Sequence, residues 1–255
     1  MPIIQSVERA LRILDLFDEH TTELKITEIS SRMALNKSTV HSLLKTLQMH
    51  GYIDQDTETG KYKLGMKLFE RGNVVIHSLD LRSIARKHLV NLSNETGHTL
   101  HLVVLSGKEG VYIDKVEGIS ATIVYSRIGR RIPLHSSGVG KALIAYKREH
   151  ELHDILKGYE YIQQTEKTIT NEEDFRKELA NVRNNGFAVD NEENEPGVCC
   201  VAVPIYDHLG EVAAAISLSM PTPRATEEER SEVITRLKEA AMKISNELGY
   251  NKVAL

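Results

Sequence analysis

Cysteine is nearly missing from this chain: 255 residues carry only Cys199 and Cys200. Adjacent cysteines bridge only under strain. A disulfide framework is therefore excluded, and a reducing, cytoplasmic setting is expected. Nothing approaches ~20 consecutive apolar residues, so neither a membrane span nor a membrane partner is expected. The opening MPIIQSVERA lacks the basic-then-apolar layout of a signal peptide. A basic excess is also missing. The 36 acids outnumber the 32 Lys and Arg, giving a net charge of −4, so any nucleic-acid contact must be a local patch. One absence is local and more informative. No Asp or Glu occurs from Ile29 to Ile53, although acids are frequent elsewhere.

What is present is ordinary globular material, 41% hydrophobic and 27% charged, long enough for two small domains or one large one. Val7, Ala10, Leu11, Leu14 and Phe17 fall on one stripe, which predicts a helix over 7–17. Thr27 is a candidate cap for a second, short helix with Ile29 and Met33 on one face. Asn36 is a candidate cap for a third, in which Val40, Leu43, Leu44 and Leu47 recur at i, i+3, i+4, i+7. Gly51 ends it. Tyr52-Ile53 and Tyr62-Lys63-Leu64 flank a Thr57–Gly60 turn and read as a hairpin. Residues 66–79 read as a connecting helix, followed by a stripe from Leu81 to Leu92. Strands are expected at 99–105, 110–116, 121–126, 201–206 and 211–220, the last two joined by a turn at Asp207–Gly210. Helices are expected at 139–147, 149–157 and 172–184. A final helix opens with Thr226-x-x-Glu229, a capping-box pattern. The fold class is α+β, with a mostly antiparallel sheet in the second half.

A short helix, a tight break, a third helix and a hairpin describe a winged helix-turn-helix. Its third helix buries one face and offers the other to the DNA major groove. That outer face would present Lys37, Ser38, Thr39, His41, Ser42, Lys45 and Gln48, with Lys61 added from the hairpin. A carboxylate there would meet phosphates spaced one charge per ~1.7 Å of duplex. Over residues 25–50 four basic residues stand against one acid, whereas residues 1–65 carry eight against nine. The basic signal is local. A polar face that happens to lack acids, or a protein-binding helix-turn-helix, would give the same pattern.

In the second half, HSSGVGKA (135–142) invites a phosphate-loop reading. It fails on spacing, because His135 stands where the first Gly is needed and Ala142 where Ser or Thr is needed. Ser136, Ser137, Gly138 and Val139 at a helix start could instead cradle a carboxylate, or simply form a tight turn. Glu192, Glu193 and Glu195 read as a solvated loop. Asp190, at the end of an apolar strand, could point inward. Alternation sends Cys199 and Cys200 to opposite faces and puts Ser217 and Ser219 on one face, either as a polar spot in a ligand site or as exposed strand serines. A catalytic set of Cys200, His135 and Asp190 has no support from spacing, and no close-set ligand pair points to a metal. No cofactor is expected.

The blocks SVERALRILDLF (6–17), ITEISSRMALNKSTVHSLLKTLQMHGYI (26–53) and TGKYKLG (59–65) resemble the DNA-binding half of the IclR-type bacterial transcriptional regulators. The resemblance continues through RIPLHSSGVGKALIAY (131–146), GFAVDNEEN (186–194) and GVCCVAVPIYDHLGEVAAAISLS (197–219). It implies a winged helix at 1–65, a linker helix at 66–80 and a GAF-like effector-binding domain at 81–255. It further implies a homodimer or homotetramer on a pseudo-palindromic DNA operator. It implies a repressor of a catabolic operon, released by a small metabolite that is often a carboxylate or aromatic acid. The family pocket would match Ile132, Gly138, Val139, Asp190, Val198, Cys200, Ser217 and Ser219. One departure is Ser42, where the family often has Arg and so a strong bidentate contact. The alternative is an enzyme on a GAF-like domain whose winged helix binds protein.

Overall fold

The computed structural model describes residues 3–18, 20–78, 80–119 and 126–250. The chain divides into two compact units, Met1–Ser78 and Leu79–Leu255.

In the first unit, helices α1 (Gln5–Leu14), α2 (Ile26–Met33) and α3 (Lys37–Met49) precede a hairpin of β1 (Ile53–Gln55) and β2 (Tyr62–Leu64), then α4 (Met66–Ser78). The core is closed by Ile13, Phe17, Leu24, Ile29, Met33, Val40, Leu44, Ile53 and Tyr62. Val40 and Leu44 come from the expected stripe of α3 and are fully buried; Leu43 and Leu47 pack at its edge. Truncating such a leucine to alanine costs about 2–5 kcal/mol. Gly51 takes φ +74°, so the chain leaves α3 by a left-handed step that glycine makes cheaply. The hairpin turn is fixed by Asp56, whose Oδ1 accepts from the backbone N–H of Glu58 and Thr59. An isolated bridge joins Leu24 to Tyr62 beside it.

Two details differ from the sequence reading. The stripe begun at Val7 faces the core only in part: Val7 and Leu11 are exposed, Leu14 packs at the edge of the core, and Ile13, outside the stripe, is the buried residue of α1. The helix stops at Leu14, and Phe17 enters the core from the turn after it. Thr27 does not cap α2. The helix starts at Ile26, and Glu28 reaches back to the Lys25 N–H at 2.7 Å.

The second unit opens with α5 (Asp80–Thr96). Among the described residues its sheet has six antiparallel strands: β3 (Thr99–Ser106), β4 (Glu109–Val116), β5 (Arg131–Pro133), β6 (Ala188–Asn191), β7 (Val198–Tyr206) and β8 (Val212–Pro221). Their spatial order is β5-β4-β3-β8-β7-β6. Between β5 and β6 lie α6 (Gly138–Ile144), α7 (Glu149–Leu156) and α8 (Glu172–Asn185); α9 (Glu227–Glu247) follows β8. Of the strand expected at 121–126, residues 121–125 lie outside the described residues. The β7–β8 turn is held by Asp207 Oδ1, which accepts from the N–H groups of Leu209 and Glu211, with Gly210 at φ +76°.

Alternation along the strands separates two cores. Cys199, Val201, Val203 and Ile205 of β7 join Ile216, Leu218 and Met220 of β8 under α5 and α9. Ala202 and Ala215 face the other way and pack with α6 and α8, whose Leu143, Phe175 and Leu179 are buried there. Buried Asp114 of β4 accepts from Arg86 Nη1 of α5 at 2.6 Å, a charge-assisted tie between sheet and helix. Thr226 caps α9, accepting the Glu229 N–H, but the expected box is only half formed. The Glu229 carboxylate lies 3.1 Å from His98 Nε2 instead.

Candidate functional site

The outer face of α3 has the composition expected of a phosphate-facing surface. Lys37, Ser38, His41, Ser42 and Lys45 are exposed; Thr39 and Gln48 are half-buried. Two hydroxyls are engaged within the helix. Ser42 Oγ donates to Ser38 O at 3.1 Å and Thr46 Oγ1 to Ser42 O at 3.0 Å. Such back-bonding removes these hydroxyls as donors to a base edge. Lys61 stands apart, just before β2, with Nζ 3.4 Å from Glu23 Oε2. That pair is solvent-accessible and of little energetic weight, so a phosphate could replace the carboxylate. Asn36 flanks α3 as expected, though its side chain makes no capping bond.

In the second unit a cavity of about 580 Å³ lies on the α6 side of the sheet. All eight residues of the expected pocket, Ile132, Gly138, Val139, Asp190, Val198, Cys200, Ser217 and Ser219, line it. Strand register explains the assembly. Asp190 of β6 pairs with Cys200 of β7, which pairs with Ser219 of β8. One row on, Ala202 pairs with Ser217, and Ser217 with His101 of β3. Residues 190, 200, 219, 217 and 101 therefore form a continuous polar floor. Beside the floor, Gly140 lets α6 close on the backbone after β5, because a Cβ there would sit 2.4 Å from Leu134 Cα. Ser137 opens the helix, accepting the Gly140 N–H at 3.1 Å and donating to Pro133 O at 2.6 Å.

The floor is chemically specific. Cys200 Sγ lies 3.0 Å from Ser219 Oγ, and burial pushes the thiol well above its usual range. His101 Nε2 lies 2.7 Å from Ser126 Oγ, and its Nδ1 is 3.4 Å from Ser217 Oγ. Burial, and secondarily Lys115, push His101 down to about 3, so the ring is neutral. Asp190 Oδ1 accepts from the N–H groups of Glu193 and Asn194 at 2.8 and 3.2 Å. Those bonds favour its charged form, but burial outweighs them and raises the carboxyl to about 7. Arg130 and Arg131 border the cavity, Arg131 being 3.1 Å from Glu109.

Sequence reading missed His101, Ser126, Tyr112, Arg130 and Glu195 as cavity residues. The adjacent Arg130-Arg131 pair could have flagged Arg130; His101, Tyr112, Ser126 and Glu195 reach the cavity through strand register and loop placement, which carry no local signal. It also misjudged the acidic loop. Glu193 is not solvated: its Oε1 is 2.6 Å from the ammonium of fully buried Lys141, and burial raises its pKa. Glu195 borders the cavity, and burial raises it as well. His135 is no partner for Cys200. Its Nε2–H donates to Ile162 O at 3.0 Å and its Nδ1 accepts from Tyr159 O–H at 2.9 Å. Among the described residues, no three His, Cys, Asp or Glu side chains gather as a metal site.

A winged helix with an acid-free outer face, followed by a sheet unit with a polar cavity, defines a DNA-binding transcriptional regulator. The IclR helix-turn-helix domain model matches residues 6–57, and that of the bacterial transcriptional regulator IclR C-terminal region matches 73–246. The chain belongs to the IclR family. The HTH-type transcriptional regulator XynR of Escherichia coli (strain K12) is 55% identical over 250 residues, covering 98% of this chain and 99% of that protein. The crystal structure of the Thermotoga maritima IclR is 38% identical at a TM-score of 0.78, covering 96% and 99% of the two chains. An IclR homologue from Microbacterium hydrocarbonoxydans, solved as a complex with 4-hydroxybenzoate, is 27% identical at a TM-score of 0.83, covering 95% and 98%. The family and these relatives are transcriptional regulators, which removes the enzyme alternative.

Proposed function

We propose that this protein represses a catabolic operon in the cytoplasm and is released from its operator by a small organic acid bound in the cavity. Residues 1–65 would read a pseudo-palindromic operator, 66–80 would link, and 81–255 would sense, in a homodimer or homotetramer. Lys37, Ser38, Thr39, His41, Ser42, Lys45, Gln48 and Lys61 are the proposed DNA contacts, led by His41, Lys45 and Gln48, since Ser42 replaces the family's frequent Arg and its hydroxyl donates within the helix. The observation that carries the sensing role is the polar floor: Asp190, Cys200, Ser219, Ser217 and His101 on one face of the sheet, walled by Ile132, Gly138, Val139 and Val198. An apolar wall with a few converging polar groups is the usual make-up of a small-ligand site. The 4-hydroxybenzoate in the Microbacterium homologue supports an acid as the ligand class. The effector acts by preferring the state that holds DNA less tightly.

The test has two arms. A gel shift with DNA from upstream of the protein's own gene is expected to show a specific complex. A thermal-shift screen of small organic acids is expected to find one that raises Tm and dissolves that complex. A compound that stabilises the protein without changing DNA binding would refute the coupling.

A further inference from the structure

Lys141 is among the largest fully buried side chains of the protein, yet it does not line the cavity. Its ammonium donates three hydrogen bonds, to Glu193 Oε1 at 2.6 Å, Val189 O at 2.8 Å and Glu178 Oε1 at 3.2 Å. Those acceptors belong to the loop after β6, to β6 itself and to α8, and they use every donor the group has. A buried ion pair is a poor source of net stability, because stripping water from both charges offsets most of their attraction. What such a pair does well is fix a position.

The position fixed is that of the loop at 192–196. Its Asn194 and Glu195 line the cavity, as do Gly138 and Val139 of α6, three and two residues before Lys141. Glu192 holds φ +62°, which a non-glycine residue keeps only when its surroundings impose it. Hydroxyls of Thr165 and Thr168 hold the loop through Glu192 O and Glu193 O, at 2.7 and 2.6 Å. Lys141 holds the Glu193 side chain, whose second carboxylate oxygen is buried without a partner.

We propose that Lys141 is a positioning residue for the effector cavity: its ammonium seats the 192–196 loop as a closed wall, and the wall opens when the Lys141–Glu193 contact is lost. The inference rests on the cavity being the effector's site, but its test uses no effector. Cys200 faces the cavity and is the natural reporter. In a Cys199→Ala background of the full chain, N-ethylmaleimide labelling of Cys200 is followed beside thermal melts. Lys141→Met and Glu193→Gln are each expected to raise the labelling rate about tenfold. The double variant is expected to label no faster than the faster single one, since both break one contact. It is also expected to melt at or above Lys141→Met, because it no longer buries the Glu193 carboxylate without its ammonium. Unchanged labelling in both variants overturns the proposal. So does a rise that merely tracks a fall in Tm, the mark of a structural role. If Lys141→Met does not fold, Glu193→Gln decides alone. Failure here leaves the ligand screen untouched, so the two readings fail separately.

Discussion

The thiol of Cys200 and the hydroxyl of Ser219 lie 3.0 Å apart, on residues paired directly across β7 and β8. Each has the other as its partner on the cavity floor, and the thiol is held protonated. Ser219→Ala removes one member without changing strand pairing. The inducer concentration that frees operator DNA is expected to rise about tenfold, the worth of one good hydrogen bond. Affinity for DNA without inducer should not move. Fluorescence anisotropy of a labelled operator fragment reads both; a loss of basal DNA affinity would show that the pocket assignment is wrong.

Lys45 is exposed on α3 with no acid in that helix. Lys45→Ala is expected to weaken binding on all sequences alike. The slope of log K against log salt should shrink by about one, the signature of one lost phosphate contact. Titrations at several salt concentrations test this, and an unaltered slope would remove Lys45 from the phosphate contacts.

Asp190 gives a pH prediction with a definite sign. Its folded pKa, about 7, stands above the ordinary 3.8, so the folded state holds a proton that the unfolded chain releases. Its favourable contribution is complete below about pH 4 and is lost as pH rises to about 7. The loss is on the order of 4 kcal/mol at most. Asp190→Asn keeps an oxygen for the Glu193 and Asn194 N–H groups and cannot ionise. It should match the parent near pH 5 less closely than near pH 4 and melt clearly higher at pH 8. Parallel Tm–pH curves for the two proteins would contradict the assignment.

His101 works in the opposite direction. Its folded pKa of about 3 lies below the usual 6.5, so the folded state refuses a proton that the unfolded chain accepts. Stability is full above about pH 6.5 and falls as pH drops toward 3. His101→Gln is expected to flatten that acid limb in denaturant titrations between pH 6.5 and 4. A limb as steep as the parent's would place the acid sensitivity elsewhere.

Local periodicity made much of the fold legible. The α3 stripe, the Gly51 exit and the Asp207–Gly210 turn depend on neighbours within one or two turns, and all are as the residues imply. The inner face of α1 was not legible. The stripe from Val7 runs through Leu14, but the buried side chain of the helix is Ile13 at its edge, a rotation set by packing against α2 and α3 rather than by the spacing of α1 itself. Ser217 and Ser219 were readable as a same-face pair by alternation. His101 was not, because its place beside Ser217 is a register fact linking strands 116 residues apart. Lys141 was least legible of all. In a glycine-rich run it mimics a phosphate binder, and only the distant Glu178 and Glu193 reveal a buried ion pair.

The odd and even positions of β7 and β8 serve different masters. Residues 199, 201, 216, 218 and 220 seal the dry layer under α5 and α9, while 198, 200, 217 and 219 meet the cavity. A change at the second set leaves the first in place. The sheet can therefore acquire taste for a new metabolite by substitutions at alternate positions, with no renegotiation of its packing. Regulators built this way can diverge in what they sense faster than in how they fold.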